Sequence, residues 1–214
     1  MSILCLGGGK MVDMPIEEGK ELVKCAIDQG IFIFDTHHRY GNCEEILSNF
    51  NHNTLIAKVS AYEKENWYEN VKNSISVLRN IDVFFVSDLD NNELYKKGEQ
   101  YHGTLMRMKP ACRIGVTSES PELIIKFKRE HPECTNFMIP VYPGSGMNRS
   151  IIEELREQGQ VFSIKPFDDG RAFADHGVKE CLQYQKELEI DVVIFGTKSK
   201  EHLKEVVNIW NRLT

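Results

Sequence analysis

Short apolar segments alternate with amphipathic segments along the whole of this chain. The apolar segments are rich in Val, Ile and Phe, which is typical of parallel strands that are buried on both faces of a sheet. Such an alternation indicates strands joined by helical crossovers rather than hairpins. The eight predicted strands begin at Ser2, Ile31, Thr54, Asp82, Arg113, Asn136, Val161 and Asp191.

Most of the intervening segments carry recognisable helix signals. Leu22, Val23 and Ala26 fall on one face of a predicted helix that stops at Gly30. Ser120 precedes Pro121, the usual order of a cap and a first helical residue. Counting the weaker segments, the chain has about eight helices, which predicts a compact (β/α)8 TIM barrel with short loops.

An open, doubly wound sheet is the alternative architecture for the same alternation of strands and helices. That fold would show a glycine-rich phosphate loop between an early strand and a helix. The only candidate, Leu6 to Lys10, lacks the required glycine spacing. The barrel is therefore the preferred prediction, as a single domain spanning residues 1–214.

Composition narrows the class of protein and its surroundings. The 214 residues are 41% hydrophobic and 27% charged, as in ordinary globular domains. A net charge of -6 argues against a general nucleic-acid surface. The N-terminus lacks a signal-peptide pattern, and no apolar run has membrane-spanning length. Six cysteines without CxxC spacing favour free thiols in a reducing compartment, so we expect a cytoplasmic protein. From the charge and the short apolar runs, we expect neither a nucleic-acid nor a membrane partner.

The candidate site lies where the second and third strands end. Asp35 closes the second apolar run, Tyr40 follows five residues later, and Lys58 lies near the end of the third. Lone charges on buried strands must be paired or used in chemistry. Because the C-terminal strand ends of a barrel meet at one rim, these three residues should converge. Together they form a proton-transfer unit.

Other polar residues also close predicted strands at this rim. Singly, each can equally be an ordinary loop residue. Asp35, His37, Asp88 and Asp90 offer potential metal ligands near the rim, but their spacing matches no closed ligand set, and no metal is expected. The remaining strand-end residues are Ser87, Thr117, Ser118, Tyr142, Lys165, Thr197 and Lys198.

Nearly end to end, the chain resembles the aldo-keto reductase family. The most specific similarity is FDTHHRYGNCEEIL, Phe34 to Leu47, in which FDT and YG keep the family's spacing. Weaker similarities follow in the family's order: LIAKV, IDVFFVSD, CRIGVTS, VFSIKPF and FGTKSKEHLKEVV. The resemblance implies a (β/α)8 fold, a nicotinamide cofactor that is usually NADPH, and reduction of a small-molecule carbonyl substrate to an alcohol.

The resemblance also implies catalytic roles. Tyr40 would be the general acid, Lys58 would lower its pKa, and Asp35 would pair with Lys58. The family's fourth catalytic residue is a histidine, and Ser87 stands in its place. A hydroxyl can donate a hydrogen bond but does not titrate near neutral pH. His37, or the neighbouring His38, can equally reach this space from another strand or be a solvated loop residue.

Cofactor positions are matched only in part. By resemblance, Thr117 and Ser118 would hold the carboxamide. The family's glutamine falls on Ile139 and its ring-stacking tyrosine on Ile164, neither of which offers the same contact. The segment expected to bind the adenosine 2′-phosphate comprises Lys198, Ser199, Lys200 and His202, although Ser199 is equally expected as a helix cap.

Two function classes follow from these matches and departures. The first is an NADP-dependent oxidoreductase with Tyr40 as general acid. The second is a barrel of the same type without redox function, either a lyase, dehydratase or isomerase, or a non-catalytic partner subunit. Ser87, Ile139 and Ile164 favour the second class, whereas Asp35, Tyr40, Lys58 and the Lys198–His202 segment favour the first.

Overall fold

Eight parallel strands close into one barrel, in which each strand pairs with the next and β8 pairs with β1. This computed structural model describes residues 2–51, 54–63, 66–108 and 112–213. The predicted (β/α)8 fold is confirmed. The strands are β1 Ile3–Gly7, β2 Ile33–Asp35, β3 Thr54–Ser60, β4 Val83–Ser87, β5 Arg113–Thr117, β6 Asn136–Pro140, β7 Gln160–Ile164 and β8 Val192–Phe195.

A helix follows each strand and packs on the outside of the barrel. Where signals are strong, the predicted helices appear at their predicted positions, and Ser120 caps the helix Pro121–Glu130 by accepting the Leu123 N–H. The weaker segments form α2, α4 and α7. The helices are α1 Ile16–Asp28, α2 Cys43–Leu47, α3 Trp67–Leu78, α4 Asn92–Met108, α5 Pro121–Glu130, α6 Arg149–Arg156, α7 Arg171–Glu187 and α8 Lys200–Arg212.

Alternating strand residues divide the apolar core into two layers. Along β3, Leu55, Ala57 and Val59 face the helices, whereas Ile56 faces the barrel interior. Because side chains alternate along a strand, Lys58 shares the inward face with Ile56. The interior below it is filled by Cys5, Ile56, Val83, Phe85, Met138, Phe162, Val192 and Ile194. This plug closes the lower barrel and leaves the polar strand ends at the upper mouth.

The sequence predicts no membrane-spanning segment, and the helices of the structure can be compared with that expectation. Within residues 2–51, 54–63, 66–108 and 112–213, no helix has both the length and the apolar character required to cross a bilayer.

Candidate active site

Asp35 and Lys58 form a buried ion pair at the barrel mouth. Asp35 ends β2 and Lys58 lies on β3, with exposed fractions of 3% and 6%. The Lys58 ammonium donates to both carboxylate oxygens of Asp35. Burial raises the pKa of Asp35. Burial alone would lower the pKa of Lys58, but Asp35 and Tyr40 outweigh it and raise that pKa, so the lysine stays charged.

Tyr40 lies beside this pair, in the tight loop that follows β2. Its N–H donates to the His37 carbonyl at 2.8 Å, and Lys58 Nζ lies 5.3 Å from its ring centroid. Lys58 lowers the pKa of the phenol, as the sequence predicted, but burial and the carboxylates of Asp35 and Asp88 outweigh that effect. The net pKa is raised. The phenol is therefore protonated at neutral pH, as a general acid must be.

Gly41 turns the chain immediately after Tyr40. Its φ of 53° lies in the left-handed region, and an added Cβ would stand 2.1 Å from the Val12 carbonyl oxygen. We expect Gly41→Ala to lower the free energy of unfolding by at least about 1–3 kcal/mol, since both strain and a backbone clash oppose it. Denaturant melts measure this change.

Gly103→Ala is the matched control. Gly103 lies inside α4, where an added Cβ meets only the Arg107 side chain at 3.8 Å. This substitution should stabilise the protein by about 0.5–1 kcal/mol through helix propensity. If Gly41→Ala melts like Gly103→Ala, the turn does not restrict the position of Tyr40.

A cavity of about 830 Å³ opens over Tyr40, Lys58 and Asp35. An added Cβ at Gly9 would lie 3.6 Å from the Tyr40 hydroxyl oxygen, so the glycine leaves the phenol open to the cavity. The segment between β7 and α7 forms one wall, and Lys10 bridges to it through an ion pair with Asp169 at 3.2 Å. This size suits a small-molecule site.

Ser87 also lines the cavity, but its hydroxyl is engaged. It donates to Asp88 Oδ2 at 2.8 Å, and the Ser60 hydroxyl donates to the same oxygen. Asp88 itself lines the cavity and has a φ of 68°, which is uncommon for a residue with a side chain. Where the resemblance places the family's histidine, the structure therefore has a carboxylate that accepts from two serines.

Thr117 ends β5, Ser118 follows it, and both line the cavity. The Ser118 hydroxyl donates to the Leu89 carbonyl at 2.9 Å and lies 3.2 Å from Asp90 Oδ1. Ser118 therefore also joins two loops of the rim.

The two isoleucines behave differently. Ile164 lines the cavity, but Ile139 is fully buried in the layer that faces the helices. Met138 occupies the cavity wall on β6 instead. Ile139, on which the resemblance placed the family's glutamine, therefore faces away from the cavity, since neighbouring residues of a strand point to opposite faces.

The expected phosphate segment is placed only partly at the cavity. His202 lines it, as does Thr197. Lys200 forms an ion pair with Glu21 on α1, and Lys198 is exposed. The Ser199 hydroxyl accepts the His202 N–H at 3.2 Å, which is the role of a helix cap.

Several cavity residues were not predicted from sequence as parts of the site. Phe173 is half-exposed at the wall formed by α7, and Asp169 and Lys10 close the mouth beside it. Met138 could have been found by counting the inward positions of β6. The position of Phe173 depends on the fold of the β7–α7 connection, which has no strong sequence signal.

No protein-family model and no curated protein matches this sequence. Solved structures do. A Pseudomonas aeruginosa protein described as an aldo-keto reductase is 21% identical with a TM-score of 0.80, covering 98% of this chain and 90% of that one. An aldo-keto reductase from a deep-sea metagenome library is 14% identical with a TM-score of 0.76, covering 100% and 87%. This chain has the aldo-keto reductase fold.

A third structure with this fold bears on the cavity. Gox0644, solved as a mutant in complex with NADPH, is 16% identical with a TM-score of 0.76, covering 99% of this chain and 84% of that one. At such identities most side chains differ even where the aldo-keto reductase fold is shared. The chemistry of this cavity therefore rests on its own residues.

Proposed function

We propose that this chain is an NADPH-dependent oxidoreductase that reduces a carbonyl group to an alcohol. The observation that carries the proposal is a protonated phenol, Tyr40, open to a cavity and backed by the buried Lys58–Asp35 pair. Proton donors of this kind serve as general acids when a charged partner stabilises the anion they leave behind.

The cavity residues fit a nicotinamide nucleotide in size and in chemistry. Ile164, Ile194 and Val206 offer apolar contact for a ring, and Thr117 and Ser118 offer polar groups at its edge. His202, at the start of α8, lies where a helix N-terminus favours an anion. When bound, NADPH would supply the hydride. A neighbour solved with NADPH adds support from the fold.

Tyr40 would pass the proton from its hydroxyl to the substrate's carbonyl oxygen. Charge on the resulting phenolate would be stabilised by the Lys58 ammonium, which Asp35 holds in place. Because the pKa of Tyr40 is raised, the proton is present throughout the neutral range. Activity limited by this proton should fall only above about pH 10, the ordinary pKa of a phenol.

A fluorescence titration with NADPH, followed by NADPH oxidation assays with a panel of aldehydes and ketones, tests the proposal. We expect micromolar binding and consumption of NADPH that depends on the carbonyl compound. Binding with no reduction of any carbonyl would contradict carbonyl reduction, and no binding at millimolar NADPH would contradict the cofactor.

The second candidate is a non-redox function on the same barrel, a lyase, dehydratase or isomerase, or a non-catalytic partner subunit. The engagement of Ser87 by Asp88 favours it, because that pair places an acceptor where the resemblance implied a donor. A chain that binds no NADPH, yet converts an added hydroxy-acid or hydroxy-carbonyl compound in a Tyr40-dependent manner, would support an acid–base enzyme over a reductase.

A further inference from the structure

His37 is a buried imidazole at the wall of the cavity, two residues after Asp35. We propose that His37 is a catalytic residue, and that its Nε2–H donates a hydrogen bond to the same substrate oxygen that Tyr40 protonates. The proposal rests on carbonyl reduction as the reaction. It gives this chain, from β2, the donor that Ser87 does not supply from β4.

The tautomer of the ring is set by the loop. The Arg39 backbone N–H donates to His37 Nδ1 at 3.0 Å, so Nδ1 is the nitrogen without a hydrogen. In the neutral ring, Nε2 must then carry the hydrogen. His37 therefore has one donor to offer, and the same turn that positions Tyr40 holds it.

The ring has the position and charge state that the role requires. Its ring centroid lies 5.5 Å from that of Tyr40, and both side chains line the same cavity. Burial first, then His38 and Lys58, lower the pKa of His37 to about 2. The imidazole is therefore neutral at neutral pH and can act there as a hydrogen-bond donor.

Glu63, the nearby carboxylate, does not engage this donor. Its Oε1 is 4.0 Å from His37 Nε2, beyond hydrogen-bond reach. That oxygen instead accepts the Ser60 N–H at 3.2 Å and lies 3.1 Å from His38 Nε2. Asn70 donates to the other carboxylate oxygen at 2.7 Å.

A metal ion held by His37, His38 and Glu63 is the competing interpretation, since their donor atoms lie within 4.8 Å of one another. Coordination needs a lone pair on the nitrogen that faces the ion. With Nδ1 accepting from Arg39, Nε2 of His37 carries a hydrogen and has no such lone pair. The geometry thus favours a hydrogen-bond donor over a ligand.

Two substitutions separate the functions of the two ring nitrogens. In His37→Asn the amide oxygen can replace Nδ1 as acceptor for Arg39, but nothing replaces Nε2. In His37→Gln the longer amide can place an N–H near the Nε2 position. We expect His37→Asn to lose about 10²–10³-fold in kcat/KM with NADPH and an aldehyde, and His37→Gln to recover at least a tenth of wild-type activity.

Three further readouts exclude a purely structural role. The loss in His37→Asn should be the same factor at each pH between about 5 and 9, because a neutral ring is being replaced. NADPH affinity should be unchanged in both variants. Thermal melting of His37→Asn should match or exceed that of His37→Gln, since it keeps the bond to Arg39.

Wild-type activity in His37→Asn would overturn this proposal alone, as would equal losses in the two variants. If His37→Asn does not fold, His37→Gln decides: a folded variant with less than a hundredth of wild-type activity counts against the role. A wild-type chain that binds NADPH and reduces no carbonyl would overturn the proposed function and, with it, the role of His37. Zinc bound by the wild type and not by His37→Gln would support the metal site instead.

Discussion

Tyr40→Phe is expected to lower kcat for carbonyl reduction by about 10²–10⁴-fold, since the substitution removes the proton donor and almost no volume. The ring should stay in place, because its backbone bonds to His37 and Cys43 do not involve the hydroxyl. NADPH binding, measured by fluorescence, should be close to that of the wild type. Steady-state kinetics with one aldehyde, beside a thermal melt, measure the effect.

Tyr62→Phe is the matched control. Tyr62 follows β3 at the same end of the barrel and is 55% exposed, so its hydroxyl faces solvent. Its loss should leave kcat within about twofold of wild type, as for surface changes in general. A Tyr40→Phe variant with activity as high as that of Tyr62→Phe would remove Tyr40 from the mechanism.

Lys58→Met is expected to abolish activity and to lower the free energy of unfolding by about 3–5 kcal/mol, because it leaves the buried Asp35 carboxylate without a partner. In the variant, Asp35 keeps a pKa raised by burial. Its ionisation then opposes folding once the pH exceeds the unfolded value of about 3.9, so the stability deficit should shrink on acidification.

In the wild type, the contribution of Lys58 to the free energy of unfolding changes with pH in the alkaline range. The pKa of Lys58 is raised in the folded state, so its stabilising contribution is present below the ordinary lysine value of about 10.4 and is lost as the pH rises through the folded pKa. Urea melts of both proteins across the pH range measure the two effects.

A double variant shows whether the loss comes from the unpaired carboxylate. Asp35→Asn combined with Lys58→Met should recover much of the stability, since replacing both members of a buried pair is often nearly neutral. Lys72→Met, which removes an exposed lysine on α3, should stay within about 0.5 kcal/mol of wild type. A double variant no more stable than Lys58→Met would mean that packing of the lysine stem dominates.

Much of the fold was accessible from sequence because burial on both faces leaves a clear apolar signature in each strand. The start of β2 shows the limit of such a prediction. The apolar run begins at Ile31, but only Ile33–Asp35 pairs as a strand, and Phe32 is 39% exposed. Composition does not show which residues of an apolar run join the sheet: the Phe32 carbonyl accepts the Thr54 N–H, yet Phe32 lies outside the strand.

The site was predictable where a residue's chemistry conflicted with its surroundings. Lys58 and Asp35 were found because buried charges demand partners, and the structure pairs them. The hydrogen bond from Ser87 to Asp88 was not predictable, because Asp88 has a positive φ and also accepts from Ser60 on another strand, and no local sequence pattern indicates either feature. His37 remained ambiguous from sequence alone, since only the bond from Arg39 identifies its tautomer.

The buried cysteines can be used to measure local opening of the barrel. All six are buried, and burial raises the pKa of Cys43 and of Cys134 to about 12, so their thiols are protonated and inert at neutral pH. An alkylating reagent can therefore reach them only through transient opening. Cys43, at the start of α2, should react when the loop carrying Tyr40 opens locally. Cys5, in the barrel interior, should react only when the sheet itself unfolds. The order of modification, read by mass spectrometry, would rank the opening of the loop that carries Tyr40 against the opening of the barrel.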